Sequence, residues 1–278
     1  WLPPLLGSGA VYHPNPVDGR GIGELVGEHR VTFLLATPTF LQIYIRACTP
    51  EQFGSVEFVL AGAEKLSERL ATAFEERFGL RPMEGYGTTE TAPVVTINTR
   101  DFRSAGFRQV GAKRGSIGHP LPGMVARIVD PDTGAPVALG RAGLLLVKGP
   151  NVMQGYLGQA EKTAEVLRDG WYTTGDIAAM DADGFLAITD RLSRFSKIGG
   201  EMVPHIKVEE NLHELGELTE QTFAVTGVPD ERKGERLVVL YQNLDESAVQ
   251  SVVEKMTATD LPNIWKPRSD QFFKVEAL

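Results

Sequence analysis

The sequence predicts an α/β protein in three successive parts. Up to about residue 110, short apolar or β-branched runs alternate with stretches of helical periodicity, which is typical of an α/β layer. From residue 111 to about 190, Gly and Pro punctuate short β-like runs, which favours a small antiparallel barrel or a distorted sheet. From residue 191 onward, the pattern is that of a small α+β unit. Its predicted helices and strands are 206–215 and 246–256, and 223–228 and 237–241.

Each element of the first two parts rests on a local pattern. Residues 31–36 and 56–60 are nearly continuous apolar runs, which suit strands buried on both faces of a parallel sheet. The clearest helix has an apolar residue at every fourth position, with Ser67 as the candidate N-cap and Gly79 as the stop. In the second part, the strand candidates are 126–129, 143–147 and 185–189, with a turn at 131–134.

Composition excludes several classes of protein. The chain has 278 residues, 42% hydrophobic and 23% charged, so it can bury a sizeable core and is not disordered throughout. A net charge of −8 argues against non-specific binding to nucleic acid or to anionic membranes. One cysteine, Cys48, cannot form an internal disulfide, and no apolar run reaches the roughly 20 residues that span a bilayer. We therefore expect a cytoplasmic protein.

The first segment dense in chemically active residues reads EGYGTTE and ends at Glu90. Glycines at 85 and 87 allow a ligand to approach the backbone closely. The hydroxyls of Thr88 and Thr89 and the Glu90 carboxylate suit phosphate oxygens and a Mg²⁺ ion. A Gly-containing turn with a Thr N-cap explains the segment equally well when it is taken alone.

Two further segments carry charged residues at Gly-rich turns. GWYTTGD ends at Asp176, whose carboxylate could accept hydrogen bonds from a ribose diol or simply stabilise a turn. DRLSRFSKIGGE begins at residue 190 and places Arg191, Arg194 and Lys197 before two glycines. This pattern indicates either a mobile anion-binding loop or a solvated charge cluster.

Together and in this order, the three segments resemble the signature of the adenylate-forming (AMP-dependent synthetase/ligase) superfamily: a YGTTE loop, a TGD and a DR-x5-K-x-x-G segment. The flanking residues 61–66, 147–153 and 195–203 are most similar to the synthetase half of the bifunctional acyl-ACP synthetase/2-acylglycerophosphoethanolamine acyltransferases. The resemblance covers essentially the whole chain.

The resemblance implies a domain organisation. Residues 1–190 would be the C-terminal part of a large AMP-binding domain, with an α/β layer at 1–110 and a β subdomain at 111–190. Residues 191–278 would be a small, mobile C-terminal domain that is incomplete at its end. The hinge of such a domain falls at Ser193, where relatives usually have Asp or Lys.

The resemblance also implies an activity and the residues that carry it. Such enzymes activate a carboxylate with ATP as an acyl-adenylate and pass the acyl group to the thiol of CoA or of the phosphopantetheine of an acyl carrier protein. Thr89 would bond the α-phosphate and Glu90 would hold Mg²⁺, which makes these two the candidate catalytic residues. The candidate cofactor-binding residues are Ala61, Gly62, Ala63 and Tyr86 around adenine, Gly87 and Thr88 beside the phosphates, Asp176 and Arg191 at the ribose, and Lys197, Gly199 and Gly200 along the pantetheine arm.

The substrate is the least defined part of the prediction. The segments 37–41 and 94–95, which contain the aliphatic Leu41, Val94 and Val95, could line a channel for a fatty acyl chain or pack in the core. An aryl or amino acid substrate, or a non-enzymatic nucleotide-binding remnant, are the alternatives. No nucleic-acid partner is expected, and membrane association would require a fused domain outside this chain.

Two segments of the superfamily signature are absent from the sequence. Neither the Ser/Thr/Gly-rich phosphate loop that ends in Lys nor the C-terminal G-K segment with the catalytic lysine occurs. We therefore expect this chain to be a fragment of a longer ligase, with negligible adenylation activity when isolated.

Overall fold

The computed structural model describes residues 7–199, 201–218 and 220–278. Among them the chain divides into two compact units. The first comprises residues 7–126, 147–172 and 181–187, and the second comprises the described residues of 127–146, 173–180 and 188–278.

Helices and strands alternate along most of the chain. The α-helices are α1 (Gly19–Glu28), α2 (Pro38–Ala47), α3 (Glu68–Phe78), α4 (Ala160–Val166), α5 (His205–Leu215) and α6 (Glu246–Thr257). The strands are β1 (Phe33–Ala36), β2 (Phe58–Ala61), β3 (Met83–Gly87), β4 (Val94–Ile97), β5 (Phe102–Ser104), β6 (Phe107–Gln109), β7 (His119–Pro120), β8 (Val125–Val129), β9 (Gly143–Lys148), β10 (Leu167–Arg168), β11 (Trp171–Met180), β12 (Leu186–Arg191), β13 (Phe195–Ile198), β14 (Glu201–Pro204), β15 (Phe223–Asp230), β16 (Gly234–Tyr241) and β17 (Phe272–Lys274).

The first unit contains a mixed five-stranded sheet with the order β1-β2-β3-β4-β7. Strands β1, β2 and β3 run parallel, and β4 runs antiparallel to both β3 and β7. In register, Ala36 pairs with Ala61 and Ala61 pairs with Glu84, so the three parallel strands end at the same edge of the sheet. Strands β5 and β6 form a separate two-stranded hairpin.

Helix α3 confirms the predicted caps. The Ser67 side chain accepts a hydrogen bond from the N–H of Leu70, and Gly79 ends the helix in the left-handed region at φ 72°. The inner face of α3 buries Leu70 and Phe74 in a core that includes Phe53 and residues of α1, α2, β1 and β2. Amphipathic spacing in the sequence therefore translates directly into the packing of this helix.

Strand β1 departs from the prediction of burial on both faces. Leu34 and Ala36 are buried, but Phe33 is 52% exposed and Leu35 is 66% exposed. The core residues of α1 to α3 pack on the side of β1 that carries Leu34 and Ala36. Phe33 instead stacks on Phe58, with 5.4 Å between the ring centroids.

The predicted β-rich middle part forms an open sheet. Its strand order is β10-β11-β9-β8, with β12 paired to β11. The predicted turn follows β8, where the Asp130 carboxylate accepts hydrogen bonds from the N–H groups of Asp132 and Thr133. Within the part of the chain that the structure describes, no sheet closes into a barrel.

The second unit contains a sheet of order β14-β13-β16-β15, with β17 added in parallel to β16. Helices α5 and α6 contribute Val208, Leu212, Val252 and Met256 to its core, in which Phe223 is fully buried. Both helices and both long strands of the predicted α+β pattern are confirmed. The mixed α/β class is thus confirmed for the chain. Among the described residues, no helix is long and apolar enough to cross a membrane.

Candidate functional site

The predicted adenine-lining residues lie where two neighbouring parallel strands end. Gly62 and Ala63 directly follow β2, and Tyr86 and Gly87 are the last residues of β3. Ala63 adopts φ 68°, a left-handed conformation that is uncommon for a residue with a side chain. In open α/β sheets, ligands bind outside the carboxyl ends of the strands, and backbone strain concentrates at such sites.

Gly62 and Gly87 differ in the space around their backbones. A Cβ atom on Gly87 would lie 1.7 Å from the carbonyl oxygen of Pro93, whereas one on Gly62 would meet its nearest heavy atom, the Gly85 carbonyl oxygen, at 3.9 Å. The chain's own backbone therefore requires glycine at 87, independently of any ligand. At Gly62 the space next to the backbone is open.

After β3 the chain makes a single 3-10 turn, Thr89–Thr91. Thr91 is fully buried, and its hydroxyl accepts a hydrogen bond from the N–H of Thr88 at 3.0 Å. The same hydroxyl lies 2.8 Å from the carbonyl oxygen of Pro93, to which it can donate. The buried Thr91 side chain therefore fixes the turn through its hydrogen bonds. Within the turn, Thr89 is exposed and Glu90 is half-buried.

A second segment, residues 151–156, forms hydrogen bonds to this turn. The Asn151 amide donates to the carbonyls of Thr91 and Val94 at 2.6 and 2.8 Å, and the N–H of Met153 donates to the Glu90 carbonyl at 2.7 Å. The Tyr156 hydroxyl donates to Oε1 of Glu90 at 2.8 Å. Both the backbone and the carboxylate of Glu90 are therefore held by residues about 60 positions later in the chain.

Neighbouring hydroxyl groups stabilise the ionised form of Glu90. Burial disfavours its carboxylate, but the hydrogen bond from Tyr156, the local backbone and the nearby hydroxyls of Thr88 and Tyr172 outweigh burial, so the pKa of Glu90 lies below its usual value. Conversely, the pKa of Tyr156 is raised, chiefly by its hydrogen bond to Glu90, and that of the buried Tyr172 is raised by burial and by the Glu90 charge. At neutral pH the group is a carboxylate surrounded by neutral phenols.

In the second unit, the structure brings the predicted ribose-binding pair together. Asp176 is buried, and its Oδ1 lies 3.5 Å from Nε of the exposed Arg191. The N–H of Asp176 donates to the Thr174 hydroxyl at 3.1 Å. This arrangement fixes the Asp176 backbone and leaves the Arg191 side chain mostly in solvent.

The other two cations of the DRLSRFSKIGGE segment, Arg194 and Lys197, pair with different carboxylates. Arg194 forms an ion pair with the buried Glu209, and Lys197 lies 3.6 Å from Asp132 in an exposed ion pair. Gly199 takes φ 61° and donates its N–H to the Lys233 carbonyl at 2.9 Å. The three predicted cations thus lie in three separate ion pairs rather than around one anion. Gly200 lies outside the described residues.

The residues proposed for an acyl channel have structural roles. Thr37 is the N-cap of α2, accepting a hydrogen bond from the N–H of Phe40. Leu41 and Val95 are fully buried, which agrees with the core-packing interpretation for these two side chains. Val94 is half-buried, next to the turn that carries Glu90.

The profile of the AMP-binding enzyme family matches residues 1–157, more than half of the chain. The chain belongs to the AMP-binding enzyme family. A feruloyl-CoA synthase of Amycolatopsis sp is 38% identical over 238 residues, which are 84% of this chain and 46% of that protein. A long-chain-fatty-acid–CoA ligase of Yersinia pestis is 34% identical over 244 residues, 87% of this chain and 42% of that ligase.

A solved structure supports the same assignment at the level of the fold. ATP-bound MatB of Rhodopseudomonas palustris superimposes with a TM-score of 0.77 at 28% identity, covering 94% of this chain and 50% of that one. The chain spans about half the length of the curated relatives it matches. The predicted superfamily is therefore confirmed for this chain.

Sequence reasoning missed the residues that support the Glu90 turn. Thr91, Asn151 and Tyr156 were given no role, although Asn151 lies in the segment GPNVM that carried part of the resemblance. The signal was present in the sequence only as a polar residue within an otherwise apolar and Gly-rich segment. Only the fold reveals that Asn151 contacts Thr91, 60 positions earlier, and that Tyr156 contacts Glu90, 66 positions earlier.

Proposed function

We propose that this AMP-binding enzyme chain is part of an ATP-dependent acid–thiol ligase that forms an acyl-adenylate and then a thioester. The observation that carries the proposal is the Glu90 turn: an ionised carboxylate, held by Tyr156, follows the end of β3 beside the exposed Thr89. The matching relatives named as CoA ligases support the same reaction class.

The first proposed step is attack of the substrate carboxylate on the α-phosphorus of ATP. A carboxylate oxygen forms a bond to phosphorus while the bond from phosphorus to the pyrophosphate oxygen breaks, which releases pyrophosphate. In the second step a thiol attacks the acyl carbonyl, loses its proton, and displaces AMP. The protein's contribution to such phosphoryl chemistry is mainly positioning and electrostatic stabilisation.

Within the first unit, we assign ATP contacts by the family resemblance. Tyr86 would stack on adenine with Ala61, Gly62 and Ala63 on its other side, and the open space at Gly62 is compatible with a ligand near the backbone. The Thr89 hydroxyl would bind the α-phosphate, with Gly87 and Thr88 beside the phosphates.

Within the second unit, Asp176 would accept hydrogen bonds from the ribose hydroxyls, with Arg191 assisting. Lys197, Gly199 and Gly200 would flank the pantetheine arm, and Ser193 would be the hinge of a small domain that begins near residue 191. Ser193 lies in the 3-10 turn Leu192–Arg194, a short element-terminal segment of the kind in which hinges occur.

Glu90 fits a magnesium ion bound together with nucleotide phosphates. Among the described residues, no group of three His, Cys, Asp or Glu side chains could hold a metal by itself. Mg²⁺ commonly uses only one or two protein carboxylates, with phosphate oxygens and water completing the octahedron. When bound, the ion would neutralise phosphate charge, while Glu90 supplies the protein ligand.

A fatty acid is the proposed substrate, and the thiol belongs to CoA or to an acyl carrier protein. The long-chain-fatty-acid ligase relatives and the half-buried Val94 beside the Glu90 turn support the fatty acid. The feruloyl-CoA synthase relatives favour an aryl acid as the second candidate. A panel of saturated fatty acids, hydroxycinnamates and amino acids offered to the full-length gene product separates these classes.

Acid-dependent exchange of labelled pyrophosphate into ATP tests the reaction. We expect the full-length gene product to catalyse the exchange, and Glu90→Gln and Asp176→Ala to lower it at least tenfold. Glu76→Gln, at an exposed position of α3, is the matched control and should retain wild-type exchange. Wild-type exchange in Glu90→Gln, or no exchange with any acid in the wild type, would refute the proposal.

A further inference from the structure

Tyr156 contacts Glu90 through a single, well-defined hydrogen bond. Its hydroxyl donates to Oε1 of Glu90 at 2.8 Å. A carboxylate has about four lone-pair positions, so one such donor restricts its orientation and leaves acceptor capacity for another ligand. Charge-assisted hydrogen bonds of this kind are about twice as strong as neutral ones.

Tyr156 is itself held in place by the element that follows it. Its N–H donates to the Thr163 hydroxyl of α4 at 2.9 Å, and the ammonium of Lys162 lies 4.9 Å from the centre of its ring. Gly155, just before it, has φ 152°, and a Cβ there would come within 2.7 Å of Thr163. Backbone and ring are thus both fixed by α4, so the hydroxyl is presented to Glu90 from a stable position.

We propose that Tyr156 is a positioning residue that orients the Glu90 carboxylate for a divalent cation bound with the nucleotide phosphates. The inference rests on the function proposed above. It assigns to the residues after β9 a role that is distinct from contact with the nucleotide. Partners that orient a metal ligand typically contribute 10–100-fold to metal affinity, although they never touch the metal.

Tyr156→Phe tests the role because it removes the hydroxyl and keeps the ring beside Lys162. Binding of α,β-methylene-ATP to the full-length gene product is measured by calorimetry over a series of free Mg²⁺ concentrations. We expect the half-saturating Mg²⁺ concentration to rise about tenfold in Tyr156→Phe. Affinity for the analogue without Mg²⁺ should change less than about twofold, because the hydroxyl contacts Glu90 and not the nucleotide.

Two further variants separate positioning from general stability. Tyr12→Phe removes a hydroxyl from a residue that is 83% exposed and should leave the Mg²⁺ dependence unchanged. In the Glu90→Gln background, Tyr156→Phe should have little further effect, because residues that act through one another are not additive. Thermal melting of each variant shows whether the protein stays folded.

The outcomes for the inference and for the proposed function are distinguishable. If wild-type protein and Glu90→Gln differ in Mg²⁺ dependence but Tyr156→Phe matches the wild type, the positioning role is wrong and the proposed function stands. A Tyr156→Phe effect of undiminished size in the Glu90→Gln background also overturns the role. If the wild type shows no Mg²⁺-dependent binding of the analogue, the proposed function fails and this inference fails with it.

Discussion

Replacing Asp190 with Ala removes an unusual helix cap. Helix α5 begins after Pro204, which has no side-chain hydrogen bond to the first turn. The fully buried Asp190 takes that role: its carboxylate accepts hydrogen bonds from the N–H of Ile206 at 2.7 Å and from the N–H of Arg191 at 2.8 Å. The negative charge also lies at the positive end of the helix dipole.

The expected loss is large because two donors lose a charged acceptor in a buried place. Hydrogen bonds to charged groups contribute about 1.5–3 kcal/mol each, and a carboxylate near a helix N-terminus adds about 0.3–1 kcal/mol. Water entering the vacated space recovers part of this. We expect Asp190→Ala to lower the free energy of unfolding by about 3–5 kcal/mol.

Asp245 is the matched comparison. It is an exposed N-cap of α6 whose side chain accepts hydrogen bonds from the N–H of Ala248 at 2.7 Å and from the hydroxyl of Ser247 at 2.8 Å. Asp245→Ala should therefore cost about 1 kcal/mol, the usual value for an N-cap. Urea unfolding of both variants, followed by circular dichroism, gives the two losses from the midpoint and the slope. A loss in Asp190→Ala no larger than that in Asp245→Ala would refute the reasoning.

Two further predictions use the same unfolding measurement. Burial lowers the pKa of His205 to about 4, so the unfolded chain binds more protons below about pH 6.5 and stability should fall by up to about 3 kcal/mol as the pH drops from 6.5 to 4. His205→Gln should weaken the pH dependence of the free energy of unfolding, whereas His29→Gln, at an exposed position, should leave it unchanged. The same pH dependence in both variants would contradict its assignment to His205. Gly87→Ala, whose Cβ would lie 1.7 Å from the Pro93 carbonyl oxygen, should cost at least about 2 kcal/mol. Gly62→Ala, whose Cβ would lie 3.9 Å from its nearest heavy atom, should change stability by less than about 0.5 kcal/mol. A larger loss in Gly62→Ala than in Gly87→Ala would show that the backbone around residue 87 can move to accommodate a Cβ.

The sequence predicted best those features that depend on neighbouring residues, such as the ends of a helix. Ser67 and Gly79 predicted both ends of α3, because a side-chain cap and a left-handed C-terminal residue depend only on neighbouring atoms. Burial of β1 was predicted less well. An apolar run does not reveal which of its faces another element covers, and Phe33 and Leu35 are exposed on one face.

In the candidate site, too, the sequence predicted the local motif but not the contacts with distant residues. The EGYGTTE segment was found from its composition, but the sequence did not predict that its first four residues end strand β3 and that its last two begin the 3-10 turn. The sequence does not reveal that Arg194 pairs with Glu209, since that partner lies 15 residues away on α5. Nor does it reveal Tyr156 as a partner of Glu90, because a tyrosine in a Gly-rich segment is compatible with many environments.

The contacts from Asn151 and Tyr156 to the Glu90 turn have a consequence for the order of folding. They join residues 60 and 66 positions apart, and closing so long a loop must precede any stabilisation that the contacts provide. We therefore expect the turn to acquire its native geometry late, after β1 to β3 have paired and residues 151–156 have docked. During refolding, amide protection in α3 should appear before competence to bind nucleotide, and a nascent chain released before residue 151 would have the YGTTE sequence without its native geometry.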